Sequence, residues 1–187
     1  FDCVNNSLRS CNGGELYFEN TDFETLYFAD SRIQNISQNS SQGFGFRSIR
    51  DDTTAFSSSD DITFKNIVHA SKTVNSINQS NNKSGTNYKN NKNSKPLYIS
   101  KNPINSFEFS KKIRLLEKIN DFARKLDNRV VQVSVSLTGS FSSIQILKKD
   151  FENHADLRPL VRLNVLIVVE SNDKKSSGSS GYGGRSL

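Results

Sequence analysis

The sequence predicts an α+β fold: antiparallel β-sheets with packed amphipathic helices, arranged in two sub-domains. Three observations predict it. Apolar residues alternate with polar ones from Gly14 to Ser58, the spacing of half-buried strands. Two stretches, Ile62 to Ile77 and Ile113 to Leu126, change to near-helical spacing. Between them, residues 81–95 are Asn- and Lys-rich and almost free of apolar side chains.

In order along the chain, Leu16 to Phe18, Phe23 to Phe28, Ile33 and Ile36, Phe44 to Ile49, and Ala55–Phe56 suggest four or five short strands in a meander. Asn20–Thr21–Asp22 and Arg50–Asp51–Asp52 are expected to break them. Gly43 and Gly45 lie inside one strand, where a missing side chain marks a bulge or a close approach by another backbone. Ser59 can cap a helix with Asp60 and Asp61 in its first turn, running to about Asn78 and packing across the meander. After the linker, Ser110 can cap a second helix whose Ile113, Leu116, Ile119, Phe122, Ala123 and Leu126 form one apolar stripe. Arg129 to Leu137 alternates as a strand, Gly139–Ser140 is expected to turn it, and Ser143 to Lys149 to return beside it. A long strand follows from about Leu160 to Glu170, and Ser176 to Gly184 is too Gly-rich to assign from its pattern. The division expected is 1–80 for a first domain, 81–95 for a linker or loop, and 96–187 for the start of a second domain.

With 187 residues, 34% of them hydrophobic, the chain has room for ordered parts joined by polar tracts. It contains no Met and begins at Phe1, which points to a fragment. The longest apolar run, Val165 to Val169, has the length of a strand and not of a membrane span, and no secretory signal opens the sequence; a cytoplasmic protein is expected. Cys3 and Cys11 do not make a disulfide framework and are expected to be reduced thiols. The net charge is +6, but much of the surplus lies at Lys83, Lys89, Lys92, Lys95 and Lys101, beside one aromatic, Tyr88. That distribution favours a solvated linker over a nucleic-acid face interleaved with stacking aromatics.

The chemistry of hydrolytic sites is poorly represented. A zinc peptidase needs two imidazoles one helical turn apart, a third ligand and a Glu to take a proton from the metal-bound water. The two histidines, His69 and His154, are far apart in sequence, expected on a helix flank and in a loop. Ser177, Ser179 and Ser180 beside Gly178 and Gly181 lack the following helix and the His partner that a nucleophile turn requires. No Lys-Ser/Thr pair closes the glycines into a phosphate loop. No catalytic or metal-binding residue is therefore assigned. Asp156, Arg158 and Arg162 remain as polar candidates, either pairing at a domain join or lining a substrate cleft; on a regular strand Arg158 and Arg162 share a face with Leu160 between them. The Asn-x-Ser triplets are expected by chance in so Asn- and Ser-rich a chain.

The segment His154-Ala-Asp-Leu-Arg-Pro-Leu-Val-Arg-Leu-Asn-Val165, followed by Gly178-Ser-Ser-Gly-Tyr-Gly-Gly-Arg185, resembles the signature of the TldD/PmbA family of two-subunit zinc metalloproteases, in particular its TldD-type subunit. Glu15 to Glu19, Gln42-Gly-Phe-Gly-Phe-Arg47, Ala55-Phe56-Ser57, and Asp121 to Arg124 with Arg129 to Val133 resemble further family segments, in order along the chain. Departures are Lys149 to Asn153 in place of a short Asp-Gly turn, Tyr182 within the Gly run, and Ser186–Leu187 where an aromatic is common. The resemblance implies the N-terminal, non-catalytic portion of such a subunit, its second domain truncated and its His-Glu-x-x-x-His zinc helix in an absent C-terminal domain. It implies zinc as the cofactor of that domain and none here, a PmbA-type partner subunit, unfolded peptides as substrates, and neither nucleic acid nor membrane as a partner. Asp156, Arg158, Arg162, Gly178, Gly181, Gly183, Gly184 and Arg185 are then the cleft or domain-join candidates. The other reading is an inactive PmbA-like scaffold subunit or a gene remnant without peptidase activity.

Overall fold

A computed structural model describes residues 2–78, 98, 100–149 and 152–186. Its order is α1 (Asp2–Leu8), β1 (Gly13–Ala29), β2 (Arg32–Arg50), β3 (Thr53–Ser59), α2 (Phe64–Asn78), α3 (Phe109–Leu126), β4 (Val130–Lys148), β5 (Asn153–Ser171) and β6 (Lys174–Gly184). The strands form an antiparallel six-stranded sheet in the order β3-β2-β1-β4-β5-β6. The α+β class predicted by the sequence is the class observed. The linker expected at 81–95 lies outside the described residues.

The meander has fewer and longer strands than the sequence suggests. Asn20–Thr21–Asp22 does not break β1: Thr21 is buried and its hydroxyl donates to Glu19 Oε1 at 3.0 Å, so a polar residue is accommodated within the strand. The turn falls instead at Asp30–Ser31, with positive φ values of 52° and 59°; Asn172–Asp173, at 51° and 59°, makes the corresponding turn between β5 and β6. Two successive positive φ values give the two-residue hairpin whose twist matches that of the strands, and short polar side chains tolerate them best. Gly139–Ser140 lies within β4 and does not turn. A Cβ at Gly139 would come within 3.2 Å of Ile104 Cγ1, so this glycine provides room for a side chain.

The chain divides into two compact units, each assembled from separate stretches. One comprises Phe1–Thr21, Ser41–Leu97 and Ser143–Leu157; the other comprises Asp22–Ser40, Tyr98–Ser142 and Arg158–Leu187. In the first unit, Val4 and Leu8 of α1, Leu16, Phe44, Phe46 and Ala55 of the strands, and Ala70 and Val74 of α2 form the core. The Phe18 and Phe44 rings meet at 6.2 Å, tilted by 49°. Helix α1 was not evident in the sequence because its Asn and Ser residues are weak helix formers; Val4 and Leu8, one turn apart, are what it buries. Helix α2 begins later than the Ser59 cap predicts. Ser59 still pairs with Phe44 in the sheet, and Thr63 takes the capping role, its Oγ1 accepting the Asn66 N–H at 3.4 Å.

In the second unit, Leu26, Phe28, Leu116, Ala123, Val133, Val135, Leu137 and Val161 form the core beneath α3. Helix α3 has no side-chain cap at Glu108, which precedes it, and its inward row follows the predicted stripe only in part: Leu116 and Ala123 are buried and Ile113 and Ile119 pack against the core. Lys112, Leu116, Asn120 and Ala123 are buried, whereas Phe122 and Leu126 are 64% and 68% exposed. Lys112 can face inward because Glu24 of β1 meets it in an ion pair; its Nζ also donates to Ile104 O at 2.7 Å, and Gln38 donates to Glu24 at 2.7 Å. Buried charges persist where a counter-charge and further hydrogen bonds satisfy them together.

Candidate functional site

The sequence candidates fall on β5 and β6, the end of the sheet where β6 is the edge strand. A β5 strand from Asn153 to Ser171 places His154 within the strand and not in a preceding loop. The pairing register sets Arg162 opposite Gly183, Asn164 opposite Gly181, Leu166 opposite Ser179 and Ile167 opposite Gly178. Val161, Leu163, Val165 and Ile167 turn toward the core of their unit, so alternation puts Leu160, Arg162, Asn164 and Leu166 on the outer sheet face. Leu160 and Leu166 are 46% and 40% exposed there, consistent with that assignment.

On this face Arg162 is held by its neighbour. Its Nε donates to Asn164 Oδ1 at 3.0 Å, and Asn164 Nδ2 donates to Ser136 Oγ of β4 at 3.4 Å. Gly181 lies beneath the same amide, and a Cβ there would stand 2.6 Å from Asn164 Oδ1. Asn164 thus accounts for one of the glycines, a role not evident in the sequence; a lone Asn in the run Leu163 to Val169 was the available signal. The other glycines have different surroundings. Gly178 has nothing within 4 Å of a Cβ position and Gly183 meets only Val161 O at 3.6 Å.

Arg185, just past β6, is engaged internally. Its Nη1 donates to Pro159 O at 2.9 Å, and its guanidinium carbon stands 4.1 Å from the centroid of the Tyr98 ring. This contact fastens the end of β6 to β5 and to the chain preceding α3, with a cation–π contribution. Gly184 is half-buried where β6 ends. Asp156 is half-buried and Arg158 exposed on β5, with Pro159 fully buried next in the chain. The structure therefore brings Arg162 together with Gly181 and Gly183, and gives Arg185 a separate structural role.

Strand β6 is exposed from Lys174 to Gly183, with small side chains over most of its length. Lys174 and Lys175 begin it, and Lys175 reaches Glu170 at 3.5 Å. An edge strand offers unpaired backbone N–H and C=O groups, and small side chains leave them accessible. The arrangement can pair with another extended backbone.

The described residues do not fit a zinc site. Among the described residues no three His, Cys, Asp or Glu side chains are grouped closely enough to hold a metal ion. His69 is exposed on α2, and His154 is bonded to Glu152, which also reaches Lys148 at 3.8 Å. Cys3 and Cys11 are not joined in a disulfide, and the buried Cys11 Sγ donates to Ser7 O at 3.7 Å. No helix among the described residues is long and apolar enough to cross a membrane.

Comparison with known proteins gives this architecture a class. Residues 14–76 match the family described as PmbA/TldA metallopeptidase domain 1, and residues 102–186 match the PmbA/TldA metallopeptidase central domain. The chain belongs to the PmbA/TldD metallopeptidase family. Curated relatives include the metalloprotease TldD homolog of Buchnera aphidicola subsp. Acyrthosiphon pisum, 33% identical over 95% of this chain and 37% of the relative. The Haemophilus influenzae homolog is 33% identical over 96% of this chain and 38% of its own length. The chain thus spans little more than a third of these relatives. Among solved structures, TldE from Thermococcus kodakarensis superposes with a TM-score of 0.73 at 13% identity, covering 98% of this chain and 42% of that one. A putative modulator of DNA gyrase from Bacteroides thetaiotaomicron gives 0.74 at 14% identity, covering 99% and 44%. At those identities the structures share the fold.

Proposed function

We propose that this chain supplies the non-catalytic N-terminal part of a TldD-type zinc metalloprotease that degrades or processes unfolded peptides in the cytoplasm, working beside a PmbA-type partner subunit. The two curated relatives, both named as TldD metalloproteases, support the TldD-type assignment. The zinc ligands belong, in this reading, to a domain outside residues 1–187. The division into a first domain, a linker at 81–95 and a second domain belongs to the same reading, supported by family matches that end at residue 76 and resume at residue 102. Neither nucleic acid nor membrane has a role in it.

The observation that carries the proposal is β6, exposed and glycine-rich at the sheet edge. A peptide that adds to this edge is bound through its main chain, so its side chains need not match, which suits an enzyme acting on unfolded segments. Arg162, fixed by Asn164 on the adjoining face, offers its outer guanidinium nitrogens to a peptide carboxylate or carbonyl. Turnover of a peptide series by the full-length enzyme tests this, with single backbone amides N-methylated in turn. Main-chain pairing predicts strong loss at alternate positions and little at those between. Equal tolerance at every position would defeat it. A full-length protein that binds its partner subunit but turns over no peptide would support the scaffold reading instead.

A further inference from the structure

The first unit contains a second candidate site, separate from β6. On the meander, Leu16, Phe18, Phe44, Phe46 and Ala55 face the core, so alternation turns Glu15, Tyr17 and Glu19 of β1, Gly43 and Gly45 of β2, and Phe56 of β3 to the opposite face. The glycines keep the middle strand low beside the β1 row, with the Ser59–Asp60 backbone close to Gly43 and the Phe56 ring over Gly45 forming the other side. The result is an open trough of about 680 Å³. That volume is within the range of sites that take small molecules or peptide side chains.

Its chemistry is specific. Phe56 lies across Gly45, where a Cβ would meet the ring at 2.9 Å, yet the residue remains 60% exposed. Three carboxylates line the space, Glu15, Glu19 and Asp60, against one guanidinium, Arg47. Arg47 is paired with Glu15 at 2.8 Å. Glu19 accepts the Tyr17 hydroxyl at 2.9 Å and the Thr21 hydroxyl at 3.0 Å, which hold its carboxylate in place. The excess negative charge, the open aromatic face and the apolar wall together suit a cation on an apolar stem.

We propose that this trough binds an arginine or lysine side chain of an extended peptide segment, its stem over Phe56 and its charge toward Glu19 and Asp60. The family's peptidase character bears only on the ligand being a peptide; the charge and shape argument stands without it. The site also differs from the β6 edge in what it reads, a side chain and not a main chain.

Calorimetric and NMR titration of the full chain with blocked Ala-Ala-Arg-Ala-Ala, and with its norleucine and glutamate counterparts, tests the proposal. The arginine peptide is expected to bind about tenfold or more tightly than the norleucine peptide, with the glutamate peptide not bound, and to weaken as salt is raised. Amide shifts should map to Gly43, Gly45 and their neighbours. Phe56→Ala and Glu19→Gln should each weaken binding severalfold. Ser58→Lys, on an exposed position of the same β3 row, should abolish it by supplying a tethered cation. Equal affinity for the three peptides, no saturable binding, or binding unchanged by both Phe56→Ala and Ser58→Lys would overturn the proposal. None of these readouts involves turnover, so failure here leaves the β6 reading to its own test.

Discussion

Phe46 in one unit and Lys112 in the other are the two largest fully buried side chains among the described residues. Phe46 lies in an apolar cluster with Phe44, Leu16 and Val74, and its burial follows from hydrophobicity alone. Lys112 occupies the inward face of α3 beside Leu116 and is accommodated by Glu24, Gln38 and Ile104 O. The first interior depends on volume, the second on volume and on a complete set of polar partners. Sequence patterns reveal the first kind directly; the second appears only when residues remote in sequence are brought together.

This contrast gives its largest predicted effects in the two cores. Phe46→Ala should cost about 3–5 kcal/mol through the cavity it leaves. Lys112→Ala should cost a similar amount, about 3–5 kcal/mol, because it leaves Glu24 buried without its counter-charge. Urea unfolding of the single variants measures both. The double variant Glu24→Leu/Lys112→Met should recover most of the second loss and none of the first. If the double variant is as unstable as Lys112→Ala, the pair contributes more than mutual neutralisation.

The glycines provide a smaller contrast. Gly181→Ala forces Asn164 from its position and should cost about 1–3 kcal/mol, whereas Gly178→Ala enters open space and should stay within about 0.5 kcal/mol. Equal costs, read from the same unfolding curves, would remove the role given to Asn164.

The smallest effect concerns the turn between α3 and β4. Arg129 holds the Asp127 carboxyl at about 2, through its side-chain hydrogen bonds first and its backbone N–H second, and Asp127 raises the Arg129 pKa in return. A carboxyl with a lowered folded pKa contributes stability above its ordinary value near 3.8, and that contribution is lost as pH falls toward about 2. Arg129 is exposed and Asp127 half-buried at the surface, so solvent screens the pair and the consequence is local. An NMR titration should place the Asp127 midpoint at about 2, returning toward 3.8 in Arg129→Ala.

Much of the fold was legible in the sequence. The period-two meander, α3 and the long β5 strand were visible because apolar spacing reports burial of one face. Three features were not. Thr21 sits within β1 because its hydroxyl finds Glu19, Gly139 lies within β4 because Ile104 needs the space, and the inward row of α3 includes Lys112 because it has a partner in Glu24. Each depends on a contact that propensity does not encode. A signal for the last existed: Glu24 shares the inward alternation of Leu26 and Phe28. For the site, Arg162 and the glycine strand were evident from the sequence, but neither the fixing role of Asn164 nor the trough beside Phe56 could be seen until the register was known.

The central claim, that the β6 edge takes a peptide main chain, is tested most directly by amide hydrogen exchange across Lys174 to Gly184 in the full-length protein with and without an unfolded peptide. Edge pairing predicts slower exchange at alternate β6 amides, those whose N–H groups point away from β5. Unchanged exchange along β6, with protection arising only elsewhere, would contradict it.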